Sequence, residues 1–185
     1  GSARRHTDRG LGRGGVKGRG VGGGSRGMGR MLKGAGAWGI SMPSNELYAA
    51  MQTGTMDVCM TTSTSFITFR LEEIAHSLTT ARKKSFFFVF EPLLMSKQVF
   101  DTLPKDQQTA IMDIGAEMEK FATEKAKADD DEVAKVYEKR GIKTYAIDQA
   151  EVDKWKAVAR ETCWKEYADK NASNAEFLKL SQQVS

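Results

Sequence analysis

The chain has 185 residues, enough for one domain with a sizeable core. Its formal charge is +4, and no apolar stretch is long enough to span a bilayer as a helix: FFFVFEPLLM at 86–95 is short and holds Glu91 and Pro92. The two cysteines, Cys59 and Cys163, lie far apart without metal-ligand spacing, which excludes a zinc framework and leaves two buried thiols or a disulfide.

The charge is unevenly spread. Residues 1–30 hold seven Arg and one Lys against one Asp, so this leader carries +7 and the remainder −3. Twelve of the 18 glycines also fall there. So much Gly has little to bury and much entropy to lose, and residues 1–26 read as an irregular, poorly ordered leader ahead of a folded domain at 27–185. Gly1-Ser2 has the look of a tag-cleavage remnant, and no signal peptide opens the chain.

Past the leader, Met28, Met31 and Leu32 predict a short helix at 27–34. WGISM at 38–42 reads as a buried strand, with Trp38 either in the core or stacked on a ligand. A helix follows, with Ser44 as its N-cap and Gly54 as its stop. MDVCM at 56–60 is a second strand, leading to a Thr/Ser corner at 61–65 and a helix over about 66–77. The continuous apolar run from Phe86 reads as a strand covered on both faces, and KQVFDTL as a short helix.

From Pro104 to Arg140 there is no internal proline and one glycine. Ile111, Ile114, Met118 and Phe121 step by three and four, and Gly141 suits the stop. Such a helix is about 50 Å long at ~1.5 Å per residue, so it bridges two lobes or breaks near Asp129–Asp131. IKTYAI at 142–147 is a strand, and Asp148 with Glu151 forms a capping box for a helix carrying Val152, Trp155 and Val158. A last helix covers 174–182. Strands alternating with helices, without a clean period of two, indicate an α/β fold with a mostly parallel or mixed sheet.

At GAWGISMPSNELYAAMQTGTMD the chain resembles the solute-binding proteins of tripartite ATP-independent periplasmic (TRAP) transporters, the DctP family. The residues are Met42-Pro43-Ser44, Glu46-Leu47-Tyr48 and Thr53-Gly54-Thr55-Met56-Asp57. The likeness runs on through FEPLLMSKQVFDTLPKDQQ, EKFATEKAKADDDEVAKVYEKRGIK and VDKWKAVARETCWKEYA, over residues 27–185. The resemblance implies a truncated, periplasmic-binding-protein-like (type II-like) two-lobed fold, of which this is the C-terminal half, with a long lobe-spanning helix. It implies a periplasmic, non-enzymatic protein without cofactor, which carries a small organic acid to TRAP membrane permease subunits. The family clamps its carboxylate with an Arg at the end of a Gly-Leu-Lys-Ile-Arg strand, because a guanidinium fork matches two carboxylate oxygens. Aligning Gly18 to that strand puts Gly22 at the arginine's position, with Arg19 and Arg26 out of register.

The resemblance puts Ser44 and Thr61 where family members place cleft-facing ligand contacts, extended by Thr62 and Ser63, with Trp38 and, outside the register, Arg26 as further candidates. Capping and turn chemistry accounts equally for Ser44, Thr62 and Ser63. Arg70, Glu72, Glu73 and Glu91 read as cleft rim or solvated surface, Glu91 needing a partner in its apolar setting. Three other readings remain at this stage. A severed lobe exposes apolar surface and is covered by a second copy, in a domain-swapped homodimer. Ser63 or Ser65 with His76 makes a promiscuous esterase-like hydrolase, since His6 lies in the leader. The Gly/Arg leader binds nucleic acid by charge, although it has no aromatic side chain to stack bases. ADDDE at 128–132 reads as an exposed acidic helix face or a cation site without calcium-loop spacing.

Overall fold

Gly20–Gly23 (β1), a strand with one side chain larger than hydrogen, is the centre of the main sheet. The computed structural model describes residues 13–85 and 92–183. A one-turn helix, Arg13–Val16 (α1), precedes β1, and Arg26–Gly34 (α2) follows it. Trp38–Ser41 (β2) and Val58–Met60 (β3) pair with β1 on either side, both parallel, in the order β2-β1-β3. The irregular leader expected over residues 1–26 is therefore corrected for residues 13–26. Residues 1–12, with His6, lie outside the described residues.

Packing explains the glycines. Val21 is fully buried on one face of β1, in a core with Met28, Leu32, Val152 and Trp155. On the other face, a Cβ at Gly22 would come within 1.9 Å of Met56 Sδ. Gly39 of β2 has a harder wall: its Cβ would lie 2.4 Å from the Gly29 carbonyl oxygen of α2. Glycine here brings backbones together.

A 3-10 turn, Ser44–Glu46, and the helix Leu47–Gln52 (α3) lead to β3. The backbone N-cap of the turn is Pro43, and Ser44 makes no capping bond, which corrects that expectation. Gly54 ends this segment with φ +72°. Ser63–Thr68 (α4) is capped by Thr62 and stops where Arg70 takes a left-handed φ of 54°. The helix expected over 66–77 thus gives way to a 3-10 turn, Leu71–Glu73, and an unforeseen strand, Ser77–Thr80 (β4). Of the strand expected after Ser85, residues 86–91 lie outside the described residues, and 92–96 have no regular structure.

Lys97–Thr102 (α5) is the expected short helix. Lys105–Lys139 (α6) runs 35 residues, ~52 Å, without a break at Asp129–Asp131. Its C-terminal end packs Val133 and Tyr137 against Leu78, while Ile111, Ile114, Met118 and Phe121 stand exposed. After Gly141 (φ +75°), Lys143–Ala146 (β5) pairs in parallel with β4. Asp148 caps Gln149–Ala159 (α7) by accepting from the Glu151 amide at 2.8 Å. A π-helical turn at Arg160–Trp164 leads to Lys165–Ala168 (α8), and Ala172–Ser181 (α9) follows. Layers cover both faces of the β2-β1-β3 sheet: α2 and α7 on one, α3 with Leu71 and Phe66 on the other. The described strands make only parallel pairs, the α/β arrangement expected.

Gly39→Ala should destabilise the chain more than Gly22→Ala, because backbone cannot yield where a methionine side chain can. Overpacking costs typically about 1–3 kcal/mol, with Gly39→Ala at the upper end. Urea denaturation of both variants measures the order, and Met56→Ala should couple favourably to Gly22→Ala alone.

Candidate functional site

Parallel strands present their carboxyl ends on one edge, and ligands of open α/β sheets bind outside that edge where the strand order reverses. Here the chain passes from β1 to β2 on one side, then crosses to β3 on the other. The register pairs Gly23 with both Ser41 and Met60, and the Met42 amide donates to the Gly23 carbonyl at 3.3 Å. Ser44 and Arg26 each follow three residues beyond these strand ends, and Thr61 follows one. Four of the expected ligand residues, Arg26, Ser44, Thr61 and Thr62, therefore gather at one sheet edge.

Arg26 is the first residue of α2 and is exposed, without an ion-pair partner among the described residues. Ser25 caps the helix, its hydroxyl accepting from the Met28 amide at 3.2 Å. The other first-turn amides have no helical acceptor, and the positive end of the helix dipole lies at this edge. Ser44 and Thr61 are half-buried. Thr62 is occupied locally: it accepts from the Ser65 amide at 3.3 Å and donates to the Ser65 hydroxyl at 2.9 Å.

Ser63 and Trp38 depart from expectation. The Ser63 hydroxyl donates to Asp130 at 2.5 Å, and Thr64 donates to Asp129 at 2.7 Å. Both hold α4 to α6, so Ser63 anchors a helix. The acidic run is spent on such contacts, Asp131 lying 3.3 Å from Arg82 Nε. Trp38 pairs with Gly20 at the opposite, amino-terminal end of the sheet and is 74% exposed, so it belongs neither to the core nor to this edge.

The other charged candidates form a separate group. Arg70 pairs with Glu73, which also accepts from the Tyr48 hydroxyl at 3.1 Å and raises that phenol's pKa. Glu72 was expected on the cleft rim or a solvated surface, but its side chain is only 9% exposed, 3.6 Å from Arg140. One of its oxygens and the buried Tyr137 hydroxyl have no hydrogen-bond partner among the described residues. Glu138 is held below the usual carboxylate range by the Thr144 hydroxyl and by Arg82. Glu91 lies outside the described residues.

Both cysteines are free thiols, so the disulfide alternative is corrected. Burial pushes the Cys59 thiol up to about 12 and raises Cys163 as well. Neither supplies a thiolate near neutral pH. A cavity of about 380 Å³ lies away from the carboxyl edge, between β3 and β4, lined by Met56, Cys59, Leu71, Leu78 and Tyr137 among others. None of the six expected ligand residues lines it.

Comparison with known proteins settles the family. A family model described as DctP, bacterial extracellular solute-binding protein, family 7, matches residues 24–171. The chain belongs to the DctP family. A solute-binding protein of Albidiferax ferrireducens (strain ATCC BAA-621 / DSM 15236 / T118) is 56% identical over 169 residues, 91% of this chain and 50% of that protein. The crystal structure of a TRAP periplasmic solute-binding protein from Rhodoferax ferrireducens with bound malonate is 53% identical and superposes with a TM-score of 0.90, covering 96% of this chain and 56% of that one. A TRAP protein from Desulfovibrio salexigens with bound orotic acid shares the fold at 18% identity, with a TM-score of 0.74 over 93% of this chain and 55% of its own. The chain spans about half the length of these relatives. The family is one of solute-binding proteins, not of enzymes, and this does not favour the hydrolase reading.

Sequence reasoning missed the loop between β1 and α2. Its signal was present: Gly22, Gly24 and Gly27 space as Gly-x-Gly-x-x-Gly between a strand and a helix, the pattern of a backbone that approaches an anion closely. The family register put a ligand strand at Gly18–Gly22, but only the missing arginine was weighed there and the glycine spacing that follows was not.

Thiol labelling tests the environment of the cysteines. At pH 8 a disulfide reagent should label Cys59 slowly, and urea should accelerate labelling in step with unfolding. Since the folded thiol holds its proton to about 12 against an ordinary value of 9.0, stability should also fall as pH rises through that interval, and less steeply in Cys59→Ala.

Proposed function

We propose that this chain is part of a periplasmic solute-binding protein that carries a small organic carboxylate to a TRAP-type permease. The observation that supports it most is the 0.90 superposition on a malonate-bound relative at 53% identity. In this reading the carboxylate lies at the carboxyl edge of β2-β1-β3, against the first turn of α2. Arg26 supplies the charge, Ser44 and Thr61 the neutral hydrogen bonds, and the uncapped amides of α2 the remaining donors. Short dicarboxylates such as malonate are the preferred class. In this reading the partner is a TRAP-type membrane permease; no described helix is long and apolar enough to cross a membrane.

Malonate at ten times its Kd should raise the melting temperature by roughly 3–5 °C. Arg26→Ala should weaken binding by about 10- to 150-fold, the worth of one charged hydrogen bond. Binding unchanged in that variant by calorimetry would remove Arg26 from the site.

A second reading, self-association, rests on α6. Ile111, Ile114, Met118 and Phe121 are exposed at 3-4-3 spacing, the period of a seam between helices. Sedimentation should then give a dimer that Met118→Lys together with Phe121→Lys returns to a monomer. A wild-type monomer at tens of micromolar rejects it.

A further inference from the structure

The first turn of α2 is braced by the π-helical turn that joins α7 to α8, and we propose that Thr162 and Cys163 of that turn are positioning residues for the carboxylate: they set where Arg26 and the Gly27 amide stand at the sheet edge. The inference rests on the proposed carboxylate site and adds its control by residues that are not among its ligand contacts.

On its own sequence α2 is a weak helix. Three of its nine residues, Gly27, Gly29 and Gly34, are glycine, the poorest helix former after proline. Its shape therefore comes from its neighbours, and each glycine marks a close approach. Gly29 meets Gly39 of β2 backbone to backbone. A Cβ at Gly34 would lie 2.7 Å from Thr162 Cγ2 and 3.1 Å from Val158 Cγ1, and one at Gly27 would meet Cys163 Cβ at 3.7 Å. Gly27 and Gly34 lie about two helical turns apart and share one face. The π turn thus touches α2 in its first turn and in its last, and between them Arg30 pairs with Glu166 of α8.

The turn holds its own side chains in place. Arg160–Trp164 widens the helix to the π winding. Thr162 Oγ1 donates to the Val158 carbonyl at 2.7 Å, and Cys163 Sγ donates to the Ala159 carbonyl at 3.7 Å. Val158 and Ala159 are buried in the core that also holds Val21 and Leu32. The position of that core is therefore passed to α2 through Thr162 and Cys163.

What the contact positions is a donor. Ser25 accepts from the Met28 amide at its hydroxyl, 3.2 Å away, and from the Gly29 amide at its carbonyl, 3.0 Å away. That leaves the Arg26 and Gly27 amides as the donors the first turn offers a ligand. Gly27 supplies one of them and is also the residue packed on Cys163. Hydrogen bonds weaken steeply with distance and angle, so a small displacement of α2 is felt at the carboxylate although every contact residue is unchanged.

The test acts at the far end of α2. Gly34 stands roughly 12 Å from Arg26 along the helix, at ~1.5 Å per residue. Gly34→Ala drives a methyl group against Thr162 and should weaken malonate binding about tenfold, read by calorimetry at a temperature where circular dichroism shows the variant folded. Thr162→Ser removes the opposing methyl group and keeps the hydroxyl, so adding it to Gly34→Ala should restore most of the lost affinity. A purely structural role would lower the melting temperature of Gly34→Ala and leave the Kd of the folded protein alone. Should Gly34→Ala fail to fold, Cys163→Ala carries the test without added bulk: malonate should bind several-fold more weakly and the Met28 amide should exchange faster. Cys163→Ser, which can still donate to Ala159, should rescue both. A folded Gly34→Ala or Cys163→Ala that binds malonate as tightly as wild type, or a double variant no tighter than Gly34→Ala, overturns this inference alone. A wild-type chain that binds no malonate overturns the proposed function, and this inference with it.

Discussion

Everything in the main sheet depends on how closely the layers approach β1. The strand has parallel neighbours on both sides and side-chain layers on both faces, and Val21 is its one buried hydrophobic side chain. At Gly22 the partner layer fills the missing side chain's place with Met56, and across β2 the Gly39 and Gly29 backbones meet directly. Ordering a glycine-rich strand costs more entropy than any other. That cost is met by the close packing the glycines permit: α2 lies on the sheet with Leu32 fully buried, and α7 adds Trp155 and Val152 to the same core.

The same point explains what the sequence made legible. Elements whose signals are local were readable: Asp148 and Glu151 for α7, Gly54 and Gly141 as stops, and the uninterrupted run of α6. Elements whose cause is tertiary were not. A window of glycine and arginine has no hydrophobic periodicity, so composition reads β1 as tail and only the family register points to a strand there, while its packing against Met56 and Met28 leaves no local signal. The break after α4 depends on Arg70 adopting a left-handed conformation, for which arginine carries no compositional warning, and β4 was hidden behind it. Trp38 shows the converse: hydrophobicity predicted burial, but β2 is an edge strand and leaves the indole outside.

For the candidate site, the sequence gives positions relative to strand ends more readily than it gives partners. Motif spacing put Ser44 and Thr61 just beyond the carboxyl ends of two paired strands, whereas Arg26, out of the motif's register, follows the third only because β1 ends at Gly23. Spacing could not show that Ser63 is committed to Asp130, a partner 67 residues away. Nor could it separate Glu72, buried near Arg140, from Glu73, exposed and paired with Arg70.

The absence of an arginine at position 22 has a physical reading of its own. A side chain there must first displace Met56, which is 2% exposed and packs with Leu47, Cys59 and Leu71. Swapping that sulfur for a guanidinium stem would exchange apolar packing for a charge that needs a partner inside the protein whenever no ligand is bound. A cation placed on the first turn of α2 avoids the conflict. In the proposed reading, Arg26 stays hydrated while the site is empty, and the helix end contributes its field without any side chain at all. On the proposed function, such a site gives up part of the strength of a desolvated ion pair and keeps the hydrophobic layer behind β1 intact, so charge for the ligand and packing for the sheet are supplied by different residues.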